Sequence, residues 1–275
     1  MLRGAGRAWL RVSLRALPLV AVLMFHAIGP PGPYTISPAK FRDSLAMLRA
    51  QRVEVLSLSQ FEQYELGRLH LRRPGVLLTF DDGSRSAYTL ATPILRRFHD
   101  HAVAFLIGHR IGRDPQSLTP AQVRAMAATG LWAFGSHTYN LHSGYGERQN
   151  LHYYAAHRLS ARRVLARDIA LEDATFRRLG LPRPNAFAFP FGFYTRADVR
   201  QLHQSFAFLF TSNTGFAMPG ESTIPRINIG SDFAGVLRLT RVLAVMDSGR
   251  TTARRQPSGP STRHRPRGAS VGVIL

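Results

Sequence analysis

Cysteine is absent from the 275-residue chain, so no disulfide can staple it and no thiolate can hold a metal. Any metal site must be built from His, Asp or Glu. Lysine is nearly absent as well: Lys40 is the only one, and the positive charge is otherwise arginine. Acidic residues are few, 16 against 36 basic ones, for a formal net charge of +20. No apolar run reaches the roughly 18 residues of a membrane helix, so no transmembrane segment is expected. No solenoid-type repeat is visible either.

What is present supports a sizeable folded core, since 45% of the residues are hydrophobic. The length allows one large α/β domain or two small ones. A large positive charge ordinarily points to a polyanionic partner. Here the excess collects at the ends. Arg3, Arg7, Arg11 and Arg15 precede the first apolar run, and Arg250, Arg254, Arg255, Arg263, Arg265 and Arg267 lie in a terminal stretch rich in Ser, Thr, Pro and Gly. No basic motif interleaved with aromatics accompanies them, so nucleic acid is the less favoured partner. The opening "MLRGAGRAWLRVSLRALPLVAVLMF" imitates a signal peptide, but Arg15 and Pro18 interrupt it and no small-residue cleavage site follows. It reads as a basic arm, residues 1–18, leading into a buried strand.

Strand-length apolar runs then alternate with helical patterns. "LVAVLMF" (19–25) precedes a helix with Ser37 as N-cap, Pro38 at its first position and Phe41, Leu45 and Leu48 on one face. "VEVLSL" is a second strand, with Ser59 and Glu62 as the capping box of the next helix. "GVLLTF" is a third, followed by a helix over 86–98. "AVAFLIG" (102–108) is a fourth, after which Thr119 and Pro120 open a helix that Gly130 closes. "LWAFGSH" is a fifth, followed by a long helix with Leu165, Ile169, Phe176 and Leu179 on one face and Gly180 as its stop. "AFAFPFG" (186–192) is a sixth, Thr195 caps a helix, "FAFLFTS" (206–212) is a seventh, and "IPRINIGSD" leads into a helix over 232–246. This alternation predicts an irregular (β/α) barrel of about seven parallel strands in a single domain, 19–247, with a basic tail over 248–275; an open doubly wound sheet is the alternative. Both put function at the carboxyl ends of the strands, where His26, Asp81, Asp82, His137 and Pro190 fall.

The stretch "TFDDG" alone reads as a turn, because Asp and Gly suit any loop after a strand. "GSHTYNLH" changes its meaning. A carboxylate with two imidazoles, His137 and His142, is the ligand set of an open catalytic zinc or similar divalent site. The two histidines are five apart, roughly 140° around a regular helix, so they can converge only from a loop or a bulged turn. His152 and His157 have the same spacing but sit away from a strand end. His99 and His101 precede the fourth strand and His109 follows it; none of these is expected to be a ligand. In "FAFPFG", Pro190 either merely ends a strand or aims the Phe191 N–H, beside Gly192, at a developing oxyanion.

Taken together, "LTFDDG", "GSHTYNLH" and "FAFPFGFYT" resemble the motifs of the NodB-type polysaccharide deacetylases, carbohydrate esterase family 4. "VLMFHAIG" and "YTISPAKFRDSL…VEVLSLSQF" extend the resemblance over about residues 20–230. The four residues between His137 and His142, where the family commonly has three, look like the subgroup acting on poly-β-1,6-N-acetylglucosamine. The resemblance implies that Asp81 is the general base and that Asp82, His137 and His142 hold a divalent metal, Zn in first place, with Co, Ni or Fe as alternatives. Water would then attack an acetamide carbonyl, the metal and the Phe191 N–H would stabilise the oxyanion, and the products would be acetate and a free glucosamine amine. It also implies an N-acetylated glycan as substrate and a cell-envelope or otherwise extracytoplasmic location.

The chain departs from that pattern in three places. Phe187 replaces the arginine expected three residues before Pro190, Phe191 replaces a tyrosine, and the late Leu-x-x-His motif that usually supplies the acid is missing. His26 is therefore the candidate acid, against a purely structural role, and Arg226 the candidate substitute for the lost arginine. The rival readings are a catalytically idle basic protein that binds an anionic polymer or nucleic acid, and a related peptidoglycan or O-acetyl ester deacetylase.

Overall fold

In a computed structural model of the chain, the described residues are 19–143 and 161–254. The arm 1–18, His152, His157 and the end from 255 lie outside them.

The chain opens with β1 (Val20–Phe25), a two-stranded parallel pair β2 (Ala27–Ile28) and β3 (Thr35–Ile36), and helix α1 (Pro38–Ala50). β4 (Glu54–Leu56), α2 (Leu58–Glu65), β5 (Gly75–Phe80), a π-helical turn (Ala87–Ala91) and α3 (Thr92–Phe98) follow. β6 (Ala102–Leu106), α4 (Pro120–Ala128), β7 (Trp132–Ser136) and α5 (Ala161–Leu179) come next. β8 (Ala186–Ala188), α6 (Arg196–Leu202), β9 (Phe208–Phe210), β10 (Ile227–Asn228) and α7 (Asp232–Arg254) complete the described order.

Seven strands run in the order β10-β1-β5-β6-β7-β8-β9, all parallel, and β4 pairs with the first half of β5. The stretch before β10 touches the opposite edge. Ile224 donates its N–H to the Leu209 carbonyl at 2.7 Å and accepts from Thr211 N–H at 2.9 Å, while Ile227 and Asn228 pair with β1. One short segment thus bonds both edges and curls the sheet into an irregular (β/α) barrel, as the alternation predicted.

Successive strand residues alternate between two apolar layers. Ala21, Leu23 and Phe25 join Phe41, Leu45 and Leu48 of α1 beneath the helices, whereas Val20 and Val22 face inward with Leu77, Phe105 and Phe210. Side chains of inward parity that lie past the apolar layer open at the carboxyl ends of the strands. His26, Thr79 with Asp81, and His137 follow from this parity. Gly135 is required by the same packing, since a Cβ there would lie 2.5 Å from the Phe105 ring.

Several caps stand where the sequence placed them. Ser37 accepts from Lys40 N–H, and Thr119 and Thr195 form capping boxes with Gln122 and Asp198. Gly180 ends α5 at φ +75°, and the Leu181 N–H reaches the Phe176 carbonyl at 2.9 Å. Other details differ. The second strand ends at Leu56, and the capping box of α2 is Ser57 with Gln60 rather than Ser59 with Glu62, because pairing with β5 stops at Leu77 and frees the chain two residues earlier. The sixth strand ends at Ala188 instead of continuing to Gly192. The expected helix over 86–98 begins as the π-helical turn, and α7 continues to Arg254, into the stretch expected to be a tail.

Candidate active site

Asp81 follows the last residue of β5, and its N–H bonds the Phe25 carbonyl of β1 at 2.9 Å, which continues the sheet ladder by one residue. Its side chain is buried, at 2% exposure. Both carboxylate oxygens are held by Arg226, Nη1 to Oδ1 at 2.7 Å and Nη2 to Oδ2 at 2.8 Å. Arg226 is fixed in turn by its Nε on the Thr211 carbonyl at 2.8 Å and by the Phe105 ring, 5.5 Å from its guanidinium carbon. Burial alone would raise the pKa of Asp81. Burial is the largest single influence, but the Arg226 charge and its hydrogen bonds, together with His137 and His26, outweigh it and hold the group well below the usual carboxylate range.

Asp82 turns away from the strand at φ +70°, and this reversal swings its side chain to the same mouth as Asp81. Its Oδ1 lies 3.3 Å from His142 Nε2 and 3.7 Å from His137 Nε2. The candidate ligand atoms of Asp82, His137 and His142 all lie within 4.8 Å of one another. His137 Nδ1 is 2.8 Å from the Ala188 carbonyl, which can only accept, so Nδ1 carries the proton and Nε2 offers a lone pair. Burial depresses the pKa of His137 despite the neighbouring carboxylates. Burial and His137 push His142 down to about 4. Two neutral imidazoles thus face a carboxylate whose Oδ1 is buried without a hydrogen-bond partner. Lone pairs converging on one point with no donor between them fit a divalent cation.

The remaining sequence candidates border this cluster. Phe191 sits at φ +56° in the Pro190–Gly192 turn, and its ring packs on His142 with centroids 4.3 Å apart. The turn is closed by Gly192 N–H to Phe189 and by Phe193 N–H to Pro190, bonds that do not use the Phe191 N–H. Gly192 is compulsory, since its φ is +72° and a Cβ would meet Ser212 at 2.7 Å. His26 follows β1, packs at a tilt against Tyr34 with ring centroids 5.2 Å apart and leaves a buried Nδ1 without a partner. Phe187 is buried in the apolar cluster of β8 and β9, and the guanidinium opposite Asp81 comes from Arg226 instead. His99 and His101 lie at the far end of β6. His109 is beside the site loop but engaged by Arg113, Nη1 to Nδ1 at 2.8 Å.

Two contributors were missed. Arg110 donates to the His142 carbonyl at 2.9 Å, and Asp168 accepts from Tyr139 and Asn140 N–H. For Asp168 a signal existed: with Glu172 it places a carboxylate on the apolar stripe of α5 among Leu165, Ile169 and Phe176. Charged residues on a buried stripe need a partner.

The sequence profile of the family described as polysaccharide deacetylase matches residues 70–208. A poly-beta-1,6-N-acetyl-D-glucosamine N-deacetylase of Staphylococcus epidermidis is 27% identical over 207 residues, covering 72% of this chain and 69% of that protein. The solved structure of IcaB from Ammonifex degensii superimposes with a TM-score of 0.72 at 30% identity, over 83% of this chain and 97% of its own. A de-N-acetylase from Aggregatibacter actinomycetemcomitans, 20% identical with a TM-score of 0.66 over 80% of this chain and 99% of its own, shares the fold.

Proposed function

Because this chain belongs to the polysaccharide deacetylase family, we propose that it removes N-acetyl groups from an N-acetylglucosamine polymer, with a divalent cation held by Asp82, His137 and His142. The observation that carries this reading is the convergence of those three donor sets beside a second carboxylate, Asp81, that is kept apart from them by its own arginine. The names carried by the Staphylococcus epidermidis relative and the Aggregatibacter neighbour support an amide rather than an ester as the scissile group.

A cation there would supply Lewis-acid polarisation of the acyl oxygen and acidify water, and zinc suits the His and carboxylate donors, as do Co, Ni and Fe. Asp81 takes the proton of the attacking water as general base. Arg226 keeps that carboxylate ionised and fixes its plane, at some cost in basicity. The Phe191 N–H donates to the oxygen on which charge develops. His26, just past the neighbouring strand β1, protonates the departing amine, and acetate leaves. The core domain spans 19–247, with the basic arm before it and a basic end after it, and the enzyme works at the cell envelope. Among the described residues no helix is long and apolar enough to cross a membrane.

A binding protein for anionic polymers would have no need of the Asp82, His137 and His142 cluster. The test is metal analysis of the purified protein coupled to acetate release from N-acetylglucosamine oligomers, for wild type and Asp81→Asn. Stoichiometric metal in both, with release from wild type alone, is expected. Bound metal with no release from N-acetylglucosamine oligomers but release from peptidoglycan or O-acetyl esters would move the assignment to those substrates.

A further inference from the structure

His137 and His142 cannot meet one ion from a regular helix, so something must shape the residues between them. Thr138 is at φ +71°, a conformation that a β-branched residue takes only under constraint. Its Oγ1 accepts from Leu141 N–H at 3.0 Å, and its carbonyl and that of Tyr139 accept from Gly108 and His109 N–H at 3.3 and 2.8 Å. These contacts hold one side of the loop. On the other side, one carboxylate takes two successive backbone donors: Asp168 Oδ2 accepts from Tyr139 N–H at 2.7 Å and Oδ1 from Asn140 N–H at 2.8 Å. Asp168 is 6% exposed and stands on α5, the long helix whose apolar stripe anchors it to the core.

We propose that Asp168 is a positioning residue whose carboxylate, by gripping the N–H groups of Tyr139 and Asn140, sets the direction of His142 and thereby the cation affinity of the site. It touches neither substrate nor ion. The proposal rests on the reading of Asp82, His137 and His142 as the cation site. Two features favour this role over a merely structural one. The bonded N–H groups belong to the residues midway between the two histidines, so a displacement there swings His142 relative to His137. In addition, Glu172, one turn on and fully buried, takes neither of these two donors: both N–H groups go to Asp168.

Substitution by Asn keeps the shape but turns an amide N–H₂ toward one of the two donors. The experiment is titration of metal-free wild type, Asp168→Asn and Asp168→Glu with Co(II), followed by calorimetry and by the visible absorption of the bound ion. Near-ultraviolet circular dichroism reports folding. Asp168→Asn is expected to bind Co(II) about 10- to 100-fold more weakly, in line with losses at outer-shell partners of metal ligands, and with an altered d–d spectrum. Asp168→Glu, which keeps the charge one methylene further out, should fall between, and it carries the test if Asp168→Asn does not fold. Folded variants with wild-type affinity and spectrum would overturn the positioning role while leaving the cation site standing. A wild type that takes up no Co(II) would overturn the cation site, and the role of Asp168 with it.

Discussion

Arg226 grips both oxygens of Asp81 at 2.7 and 2.8 Å, although the two residues stand 145 positions apart and both are buried inside the barrel mouth. The pairing separates the adjacent carboxylates of "TFDDG" electrostatically. Asp81 has a permanent counter-charge, and Asp82 keeps its Oδ1 unpaired beside the Nε2 atoms of the two histidines.

Replacing Arg226 with Met should therefore destabilise the fold by about 3–5 kcal/mol, the usual loss when one partner of a buried pair is removed. The depressed pKa of Asp81 implies a stability contribution that is complete above the ordinary 3.8 and is lost as pH falls below it. In Arg226→Lys, which keeps charge but loses the fork, the acid limb of the rate profile should move to higher pH. An unmoved limb would exclude Asp81 as the group that titrates.

His26→Ala should abolish acetate release and leave metal content at the wild-type level, because the imidazole lies just past β1, outside the cluster of ligands. Unchanged turnover would remove His26 from the mechanism and leave it a packing partner of Tyr34.

Gly192→Ala forces a side chain into φ +72° and against Ser212. A left-handed conformation costs about 1–2 kcal/mol, and relief of the clash must shift the neighbouring Phe191 N–H. We expect a lower melting temperature together with a fall in kcat. A rate equal to wild type would argue against that N–H as the oxyanion donor.

Away from the site, Glu65 is buried at the end of α2 with Oε1 unpartnered, and burial, then Glu221, push its pKa up to about 7. A raised carboxyl pKa means that the fold prefers the neutral acid. The associated stability is present below 4.5 and is lost as pH rises through about 7. Glu65→Gln should gain about 1–3 kcal/mol over wild type at pH 8 and nothing near pH 4, because each tenfold change in proton affinity between the folded and unfolded chain is worth about 1.36 kcal/mol. Chemical denaturation at the two pH values checks this; equal differences at both would refute it.

The order of strands and helices, the caps at Ser37, Thr119 and Thr195, and the set Asp81, Asp82, His137 and His142 are all legible in the sequence. Each depends on interactions within a few residues: apolar periodicity, a side chain reaching the third N–H ahead, chemistry clustered just past a strand. The error at α2 marks the limit of such reasoning, since Ser57 with Gln60 and Ser59 with Glu62 both fit the capping pattern, and the register of β4 on β5 chooses between them. The sequence singled out Arg226 and left a charge at Asp168 on a buried stripe, but only the tertiary structure decided their partners, Asp81 for one and the Tyr139 and Asn140 N–H groups for the other, and the bridging of both sheet edges by residues 224–228. Those contacts join residues from 13 to 204 positions apart, and their partners are selected by strand register and by the demand that every buried charge meet an opposite charge or a donor. A local pattern can signal that a buried charge needs a partner, as at Asp168, but none in the chain names that partner.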